Sequence, residues 1–299
     1  MLITDKQRPK QDSVSIDGLL LQETKGVTKK DKLVLFCLKN IYLTSMLLRM
    51  IVLKKKKRER LYIERGISFK NFLYKSGKFL GMDNLRLKVN VPKYGFQAYC
   101  RTEDDFNDLV IMTQHEHDLL KRFSPKKGDV VVDVGAHTGL YTITSSNCVG
   151  PNGKVIAIEA HPHNFKILNR NIKSNNLTNV MPFNYIAYSK EMEMVFVEYL
   201  YKTVAVRINA LDNLLQHNGI NEVNWMKVDV EEPELEVLKG AHNVLSNSKD
   251  IALLIEVHGH NNYKPLIEFL HSYNFTVEFE KSYEWGYKHI IARKSSLPR

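Results

Sequence analysis

Acidic residues and glycines end two successive apolar runs of this sequence. Asp133 closes the run VVVDV, and Gly135 and Gly139 follow it within GAHTG. Glu159 closes the next run, KVIAIEA. Glycine allows the backbone to approach a ligand closely and to adopt positive φ, and an acid at the end of the second strand commonly holds the hydroxyl pair of a ribose. We therefore predict that these four residues line a nucleoside site, although GAHTG alone would also serve as a tight strand-to-helix turn.

A second set of titratable residues ends two later apolar runs. Asp229 and Glu231 follow WMKV, and Glu256 and His258 close the run IALLIEVHG. A histidine with its ordinary pKa near 6.5 accepts protons at neutral pH, and carboxylates can orient such a base or bind a substrate. We predict that these four residues are catalytic, with His258 as the proton acceptor. The competing interpretation is that His258 is a solvated loop residue and that Glu256 pairs with a lysine.

Apolar runs and helical segments alternate from residue 128 onward, and this alternation must position both sets of residues. Strands that read as continuous apolar runs, each followed by a helix, are typical of a parallel sheet covered on both faces. The carboxyl ends of such strands share one edge of the sheet, so we expect both sets at a single cleft. The predicted strands are GDVVVDVG, KVIAIEA, NVMPFNYIA, WMKVDV, IALLIEVHG, FTVEFE and YKHIIARK, and the predicted helices are LYTITSSNCV, HNFKILNRNIKSNN, PELEVLKGAHNVLS and YKPLIEFLHSY.

Composition separates the first 83 residues from the rest of the chain. The 299-residue chain carries a formal net charge of +10 at pH 7, and basic residues crowd this extension, as in KKKKRER at 54–60. Residues 33–53 are apolar but include Lys39, Asn40 and Arg49, and a central charge costs about 2.5–3.5 kcal/mol in a membrane-spanning helix. We predict an amphipathic helix here that packs on protein, with peripheral membrane contact as the alternative. Residues 84–299 are predicted to form the main domain, with a hairpin and helix lead-in at 84–127.

The cysteines indicate the compartment. Cys37, Cys100 and Cys148 are far apart, odd in number and without a CxxC pair. This pattern argues against a disulfide framework and against a zinc site. We therefore predict a cytoplasmic protein, peripheral to the membrane if the extension contacts lipid.

The spacing of the glycines distinguishes between nucleoside ligands. Dinucleotide sites use G-x-G-x-x-G, and ATP loops use a lysine followed by Ser or Thr, whereas this loop reads G-x-x-x-G followed by leucine. A pyrophosphate would also lie unfavourably against Asp133. S-adenosyl-L-methionine has no phosphate and carries an ammonium and a sulfonium group, which suit an acidic site. We predict S-adenosyl-L-methionine as the cofactor.

Two long stretches of the sequence resemble a known enzyme family. DVVVDVGAHTGLYT and IEAHPHNFKILNRNI resemble the class I S-adenosylmethionine-dependent methyltransferases, and ALDNLLQHNGINEVNWMKVDVEEPELEVLKGA resembles the FkbM-like methyltransferases. The resemblance runs from about Glu116 to Ala292. It implies a Rossmann-like, doubly wound α/β fold with a mostly parallel seven-stranded sheet whose last strand is antiparallel. It also implies methylation of hydroxyl oxygens of small metabolites, sugars or glycans.

Site residues carry over from the family one position at a time. Asp229 and Glu231 match its Asp-Val-Glu, and Asp212 matches its Leu-Asp. Glu116 is expected to reach the methionine end of the cofactor. The full set of predicted cofactor contacts is Glu116, Asp133, Gly135, Ala136, Thr138, Gly139, Glu159 and Ala187.

Two features depart from the family pattern. Glu232 and Pro233 stand where the family usually has glycine after Asp-Val-Glu, so we expect the local backbone to differ. The segment between Ser189 and Asp212 looks compact, so we also expect an altered substrate-facing hairpin.

The set of Asp229, Glu231, Glu256 and His258 offers enough oxygen and nitrogen ligands for a divalent metal. No spacing in the sequence demands one, so no metal site is predicted, and a divalent cation is the less favoured alternative. The HEH sequence at 115–117 also looks metal-binding. However, residues two apart on a helix lie on different faces, which argues against joint ligation.

Two other functions stay open. An RNA methyltransferase would fit the basic charge, but the fourth strand lacks the Asn/Asp-Pro-Pro-aromatic signature of many amino-group methylases. The sequence DVEEPE is also acidic where a phosphate backbone would have to lie. A non-catalytic cofactor-binding or scaffold protein would leave the acidic strand ends unexplained. The sequence therefore favours a small-molecule or glycan substrate over nucleic acid.

Overall fold

The computed structural model describes residues 87–91, 96–100, 116–199, 202–259, 261–283 and 286–294. The chain forms two compact units, Met1–Val110 and Ile111–Arg299, whereas the boundary predicted from sequence lies at residue 84. In the first unit, β1 (Leu87–Val91) and β2 (Phe96–Cys100) pair in antiparallel orientation. These two strands lie within the hairpin and helix lead-in predicted at 84–127, and their antiparallel pairing agrees with a hairpin there.

Several segments with sequence-based predictions lie outside these ranges. The apolar segment at 33–53, the basic run at 54–60 and His115 all lie there, and the interpretations given for them stay predictions. Within the described ranges, no helix combines the length and the apolar character needed to cross a membrane.

The second unit alternates strands and helices, as the sequence predicts. In chain order its elements are α1 (His117–Arg122), β3 (Val130–Val134), α2 (Leu140–Val149), β4 (Lys154–Ile158), α3 (Pro162–Ser174), β5 (Val180–Phe183), β6 (Tyr185–Tyr188), β7 (Met192–Tyr199), β8 (Lys202–Ala210), α4 (Leu211–His217), β9 (Trp225–Val228), α5 (Glu234–Lys239), α6 (His242–Asn247), β10 (Ile251–Val257), α7 (Tyr263–Ser272), β11 (Thr276–Ser282) and β12 (Lys288–Lys294).

Seven strands form one sheet in the order β11-β12-β10-β9-β3-β4-β5. β12 runs antiparallel to both of its neighbours, and every other neighbouring pair in this sheet is parallel. The predicted doubly wound α/β fold, with an antiparallel last strand, is confirmed. The winding reverses between β3 and β9, so their carboxyl ends lie side by side where such sheets bind ligands.

The central strands are buried on both faces, which explains their continuous apolar sequences. Val132 in β3, Met226 in β9 and Leu253 in β10 are all fully buried in one hydrophobic core. Two buried polar residues interrupt these strands, Asp133 in β3 and Lys227 in β9. Because buried polar groups without partners destabilise a fold, both side chains must find partners inside the protein.

The predicted strand NVMPFNYIA is two strands in different sheets. β5 joins the seven-stranded sheet, whereas β6 pairs with β8 in a three-stranded sheet that also contains β7. Between them, the amide of Asn184 donates to the backbone oxygens of Glu159 and Ala160 at 2.8 and 2.9 Å, which fixes the bend. β7 and β8 form a hairpin of eight- and nine-residue strands between Ser189 and Asp212. The expected hairpin is therefore present, and its alteration relative to the family stays a prediction.

The predicted helix PELEVLKGAHNVLS is interrupted at Gly240 and forms α5 and α6. A Cβ at Gly240 would lie 2.0 Å from the backbone oxygen of Tyr188, so β6 approaches too closely for a larger residue. Asp212 accepts hydrogen bonds from the backbone N–H groups of Asn243 and Val244, at 2.7 and 3.0 Å, at the start of α6. The Leu-Asp and Lys-Gly-Ala stretches thus stabilise one helix junction, where Asp212 acts as a helix cap.

Candidate active site

The GAHTG turn connects β3 to α2 at the reversal point of the sheet. Gly135 and Gly139 have φ angles of +79° and +101°, as expected for glycines in a turn of this kind. A Cβ at Gly135 would lie 1.8 Å from the backbone oxygen of Asp229, and one at Gly139 would lie 2.8 Å from Cδ1 of Leu168. Gly135 is therefore required by a backbone contact within the protein, and Gly139 is favoured by its positive φ, whether or not a ligand also approaches them.

Glu159 holds this turn through a buried carboxylate at the end of β4. Its Oε2 accepts a hydrogen bond from the backbone N–H of His137 at 2.7 Å, and its Oε1 accepts one from that of His161 at 2.8 Å. Burial raises the pKa of Glu159, and the two backbone donors oppose this rise. An ionised carboxylate has about four acceptor positions, so each oxygen can accept a further donor. This geometry fits the predicted contact with a ribose hydroxyl pair.

Asp133 lies beneath the turn and is fully buried. Its Oδ2 accepts a hydrogen bond from the hydroxyl of Thr142 at 2.6 Å, and its Oδ1 lies 3.9 Å from Nζ of Lys227. Burial raises the pKa of Asp133, while Lys227 and Thr142 act to lower it. Asp133 therefore supports the turn from below, and its carboxylate presents no exposed surface for the predicted contact with a cofactor.

Lys227 is the cation at the centre of this buried group, and the sequence analysis missed it. Its Nζ donates to Oδ2 of Asp229 at 3.0 Å and lies 5.0 Å from the centre of the Tyr141 ring. Burial acts to lower its pKa, but the carboxylates of Asp229, Asp133 and Glu116 outweigh burial and hold that pKa above its ordinary value. The sequence contained a signal for this residue, a lysine that lies between apolar residues in WMKV. Such a lysine is buried with its strand, and a buried cation needs buried anions around it.

Glu116 immediately precedes α1 and belongs to the same buried group. The residue is 7% exposed. Burial raises its pKa to about 6, and Lys227 and Tyr141 oppose the rise. The structure thus brings Glu116 to the side of the cleft formed by β3 and β9. Its contact with the methionine end of a cofactor stays a prediction.

The remaining predicted cofactor contacts are buried residues that pack the turn and the second sheet. The backbone N–H of Ala136 donates to the oxygen of Ile158 at 2.9 Å, and the oxygen of Thr138 accepts from the amide of Asn171 at 2.7 Å. Ala187 lies in β6 and is also buried. Direct contact of Ala136, Thr138 and Ala187 with a cofactor stays a prediction.

Asp229, Glu256 and His258 come together at the carboxyl ends of β9 and β10. One possible ligating atom of each lies within 4.8 Å of the other two. Nε2 of His258 lies 3.3 Å from Oε1 of Glu256 and 3.9 Å from Oε2 of Glu231. The structure therefore brings together the four residues predicted to be catalytic, and Asp229 joins them to the GAHTG turn.

Glu234, the first residue of α5, contacts the ring of His258 at Nδ1, the ring nitrogen that does not face Glu256. Its side chain is completely buried, and its Oε1 lies 2.6 Å from Nδ1 of His258. Burial acts to lower the pKa of His258, but hydrogen bonds to Glu234 and Glu256 raise it to about 10. Both ring nitrogens face carboxylates, so His258 holds a proton more tightly than an ordinary histidine, and its role as proton acceptor stays a prediction. The sequence signal for Glu234 was an acid that directly follows Pro233, in the first turn of a predicted helix.

The backbone after β9 is unusual at the position where the family usually has glycine. Glu231 and Glu232 have φ angles of +57° and +96°. The N–H of Glu232 donates to Oε1 of Glu234 at 3.1 Å, which holds the turn closed. Glu232, which stands where the family usually has glycine, therefore adopts a backbone conformation that favours glycine, with a strain of about 1–3 kcal/mol. The expected difference from the family's backbone stays a prediction.

Comparison with known families gives a match over the region just described. Residues 133–277 match the family described as Methyltransferase FkbM domain. The matched span begins at Asp133 and contains the GAHTG turn, Glu159 and the acidic strand ends. It therefore covers both halves of the candidate site.

Individual relatives are distant. Methyltransferase sdnD of Sordaria araneosa is 24% identical over 196 residues, which cover 51% of this chain and 74% of that protein. Among solved structures, precorrin-6y C5,15-methyltransferase of Geobacter metallireducens GS-15 is 16% identical and has a TM-score of 0.43, with 61% of this chain and 88% of that chain covered. M. jannaschii TYW2 in complex with AdoMet is 19% identical and has a TM-score of 0.44, with 70% and 84% covered. The family assignment rests on the domain match and the curated relative.

Proposed function

Because this chain is an FkbM-like, S-adenosylmethionine-dependent methyltransferase, we propose that it methylates a hydroxyl oxygen of a small metabolite, sugar or glycan. The observation that carries the proposal is the group of Asp229, Glu256 and His258, with ligating atoms within 4.8 Å of one another. A hydroxyl oxygen is a weak nucleophile until a base or a metal assists it. This group supplies such assistance directly beside the turn assigned to the cofactor.

The residues on the two sides of the cleft have different proposed roles, one side binding the cofactor and the other the acceptor. When bound, S-adenosylmethionine supplies an electrophilic methyl carbon on a sulfonium group. Glu159 and the GAHTG turn are proposed to hold the nucleoside, and the ends of β9 and β10 to hold the acceptor with its oxygen about 3–3.5 Å from that carbon. As the oxygen–methyl bond forms, the carbon–sulfur bond breaks and its electron pair stays on sulfur. The hydroxyl proton must leave to a base.

Carboxylates at this edge are the proposed proton acceptors. The side chain of Glu231 is 88% exposed and lies 3.9 Å from Nε2 of His258, so a substrate can reach it. Oδ2 of Asp229 accepts a hydrogen bond from Lys227, so the other oxygen of Asp229 is the one proposed to accept the proton. Positive charge beside Nε2 of His258 would stabilise the oxyanion that develops as the proton leaves.

Two tyrosines border the same edge and bear on the shape of the acceptor. The rings of Tyr283 and Tyr287 stack with their centres 4.6 Å apart, and the Tyr287 ring lies 6.2 Å from the ring of His258. Aromatic surfaces of this kind line small-molecule sites and pack against apolar faces of ligands. They support a cyclic acceptor, such as a sugar or a ring-bearing metabolite.

Methyl transfer from labelled S-adenosylmethionine to hydroxyl-bearing metabolites, sugars and glycans, with total RNA in parallel, tests the proposal. We expect the label in a methyl group on oxygen, identified by NMR of the product. Asp229→Asn and Glu231→Gln should slow transfer by roughly 10²–10⁴-fold if either carboxylate is the base, whereas Glu268→Gln, at a 67% exposed side chain elsewhere, should not. Label found only in RNA, or on nitrogen or carbon of a small molecule, would contradict the proposal.

A further inference from the structure

We propose that Asp229, Glu256 and His258 bind a divalent metal ion. Atoms bound at 2.0–2.3 Å around a tetrahedral or octahedral ion lie about 3–4.6 Å from one another. The candidate ligand atoms of these three side chains already lie within 4.8 Å of one another. Only small side-chain movements are therefore needed to close them on an ion.

The contact behind His258 is a second and independent observation. Nδ1 of His258 faces Oε1 of Glu234 at 2.6 Å, and the Glu234 side chain is completely buried. A hydrogen bond from Nδ1–H to this carboxylate leaves the electron pair on Nε2, the ring nitrogen that faces Glu256 at 3.3 Å. Histidines that bind metals are commonly held in this way, by a carboxylate on the opposite ring nitrogen. A solvated loop histidine has no need of such a partner.

The carboxylates near the His258 ring also favour the binding of a cation. Oε2 of Glu234 is buried and, within the described part of the chain, has no hydrogen-bond partner. Lys227 takes up Oδ2 of Asp229 at 3.0 Å, and the other oxygen of Asp229 has no partner among the described residues. Oε2 of Glu256 is paired with Nε2 of His289 at 2.8 Å, so Oε1, which faces His258, is the oxygen left for an ion. A divalent ion between this oxygen and Asp229 would offset the repulsion of the two carboxylates.

The ligand types indicate the class of ion and its effect. One imidazole nitrogen with two carboxylate oxygens suits a first-row transition ion better than Mg²⁺ or Ca²⁺, which prefer oxygen alone. Three protein ligands leave coordination positions open for a substrate. An acceptor hydroxyl bound there would lose its proton more easily. In this respect the inference rests on the proposed function, and the ion is the positive charge that the reaction requires beside Nε2.

Direct metal titration of the full-length protein tests the site without any acceptor. After dialysis against EDTA, Mn²⁺ is added and followed by electron paramagnetic resonance, and Co²⁺ is added and followed by visible absorption. We expect saturable binding of one ion per chain. Affinity should fall at least about tenfold in His258→Ala and Glu256→Gln, and about 10–100-fold in Glu234→Gln, which acts through the ring of His258. Glu268→Gln is the matched control, and titration with S-adenosylmethionine verifies that each variant folds.

The outcomes separate this site from the proposed function. Absence of saturable binding in the wild type, or equal affinity in His258→Ala and Glu268→Gln, would overturn the metal site. Binding of Mn²⁺ together with methylation of only nitrogen or carbon would support the site and overturn the proposed function. Methylation of oxygen that persists in EDTA would overturn the role of the ion in the reaction and leave the proposed function intact.

Discussion

The backbone oxygen of Asp229 occupies the space that a side chain at Gly135 would need, because a Cβ there would lie 1.8 Å from that oxygen. β3 and β9 are neighbours in the parallel sheet, so this contact joins the cofactor turn to the strand that ends in a predicted catalytic acid. Lys227 fixes the same unit from below, because its Nζ donates both to the oxygen of Gly135 at 3.2 Å and to the carboxylate of Asp229 at 3.0 Å.

Gly135→Ala should therefore destabilise the protein far more than an alanine at another glycine with positive φ. Gly128 is the matched control, with φ of +88° and no heavy atom within 4 Å of a Cβ built there. We expect Gly128→Ala to lower the free energy of unfolding by about 1–2 kcal/mol through backbone strain alone. Gly135→Ala should lose about 1–3 kcal/mol more through overpacking, or fail to fold. Urea denaturation measures the difference, and equal losses in the two variants would show that the contact with Asp229 is unimportant.

Glu159→Gln should weaken binding of S-adenosylmethionine. An amide keeps one acceptor oxygen, so it cannot accept both backbone N–H groups and the ribose hydroxyls. Loss of a hydrogen bond to a charged group removes about 1.5–3 kcal/mol, which corresponds to roughly 10–150-fold in affinity. Isothermal titration calorimetry gives the dissociation constant, with the exposed Glu222→Gln as control. An affinity for Glu159→Gln within twofold of the wild type would remove Glu159 from the cofactor site.

Glu116→Gln should change the pH dependence of stability. Burial raises the pKa of Glu116 from 4.5 to about 6, so between these values the folded protein keeps a proton that the unfolded chain has released. As the pH rises through this window, the free energy of unfolding of the wild type should therefore fall relative to that of the variant, by about 2 kcal/mol. The difference should be constant below pH 4 and above pH 7. Denaturation at a series of pH values measures it, and a difference that is constant throughout would contradict the burial of Glu116.

Glu232→Gly should stabilise the protein, although glycine usually destabilises a loop. The φ of +96° at Glu232 strains a residue with a side chain by about 1–3 kcal/mol, and glycine removes that strain at an entropic cost of about 0.5–1 kcal/mol. The hydrogen bond from the backbone of residue 232 to Glu234 is retained. Glu222→Gly, at an exposed loop position without positive φ, should instead destabilise. Thermal unfolding of the two variants should thus shift in opposite directions, and a lower melting temperature for Glu232→Gly would refute the strain.

The antiparallel last strand was implied by the family resemblance, whereas the sequence by itself determined the α/β class, the parallel sheet and the glycines of the turn. It also placed Asp229, Glu231, Glu256 and His258 at strand ends. These features are readable because the period of apolar residues and the chemistry of a strand-to-helix turn are local properties of the chain. Parallel strands then bring their ends together at one edge without any further information.

Only the tertiary structure decided what those side chains do to one another. Glu234 and His258 are 24 residues apart, and their contact raises the pKa of the histidine above its ordinary value. Lys227 meets Asp133 from a different strand and leaves that acid no exposed surface. The break at Gly240 likewise depends on a distant strand. Burial and the charge of a distant partner set a group's pKa and its accessibility, and neither can be read from the residues adjacent to it in sequence.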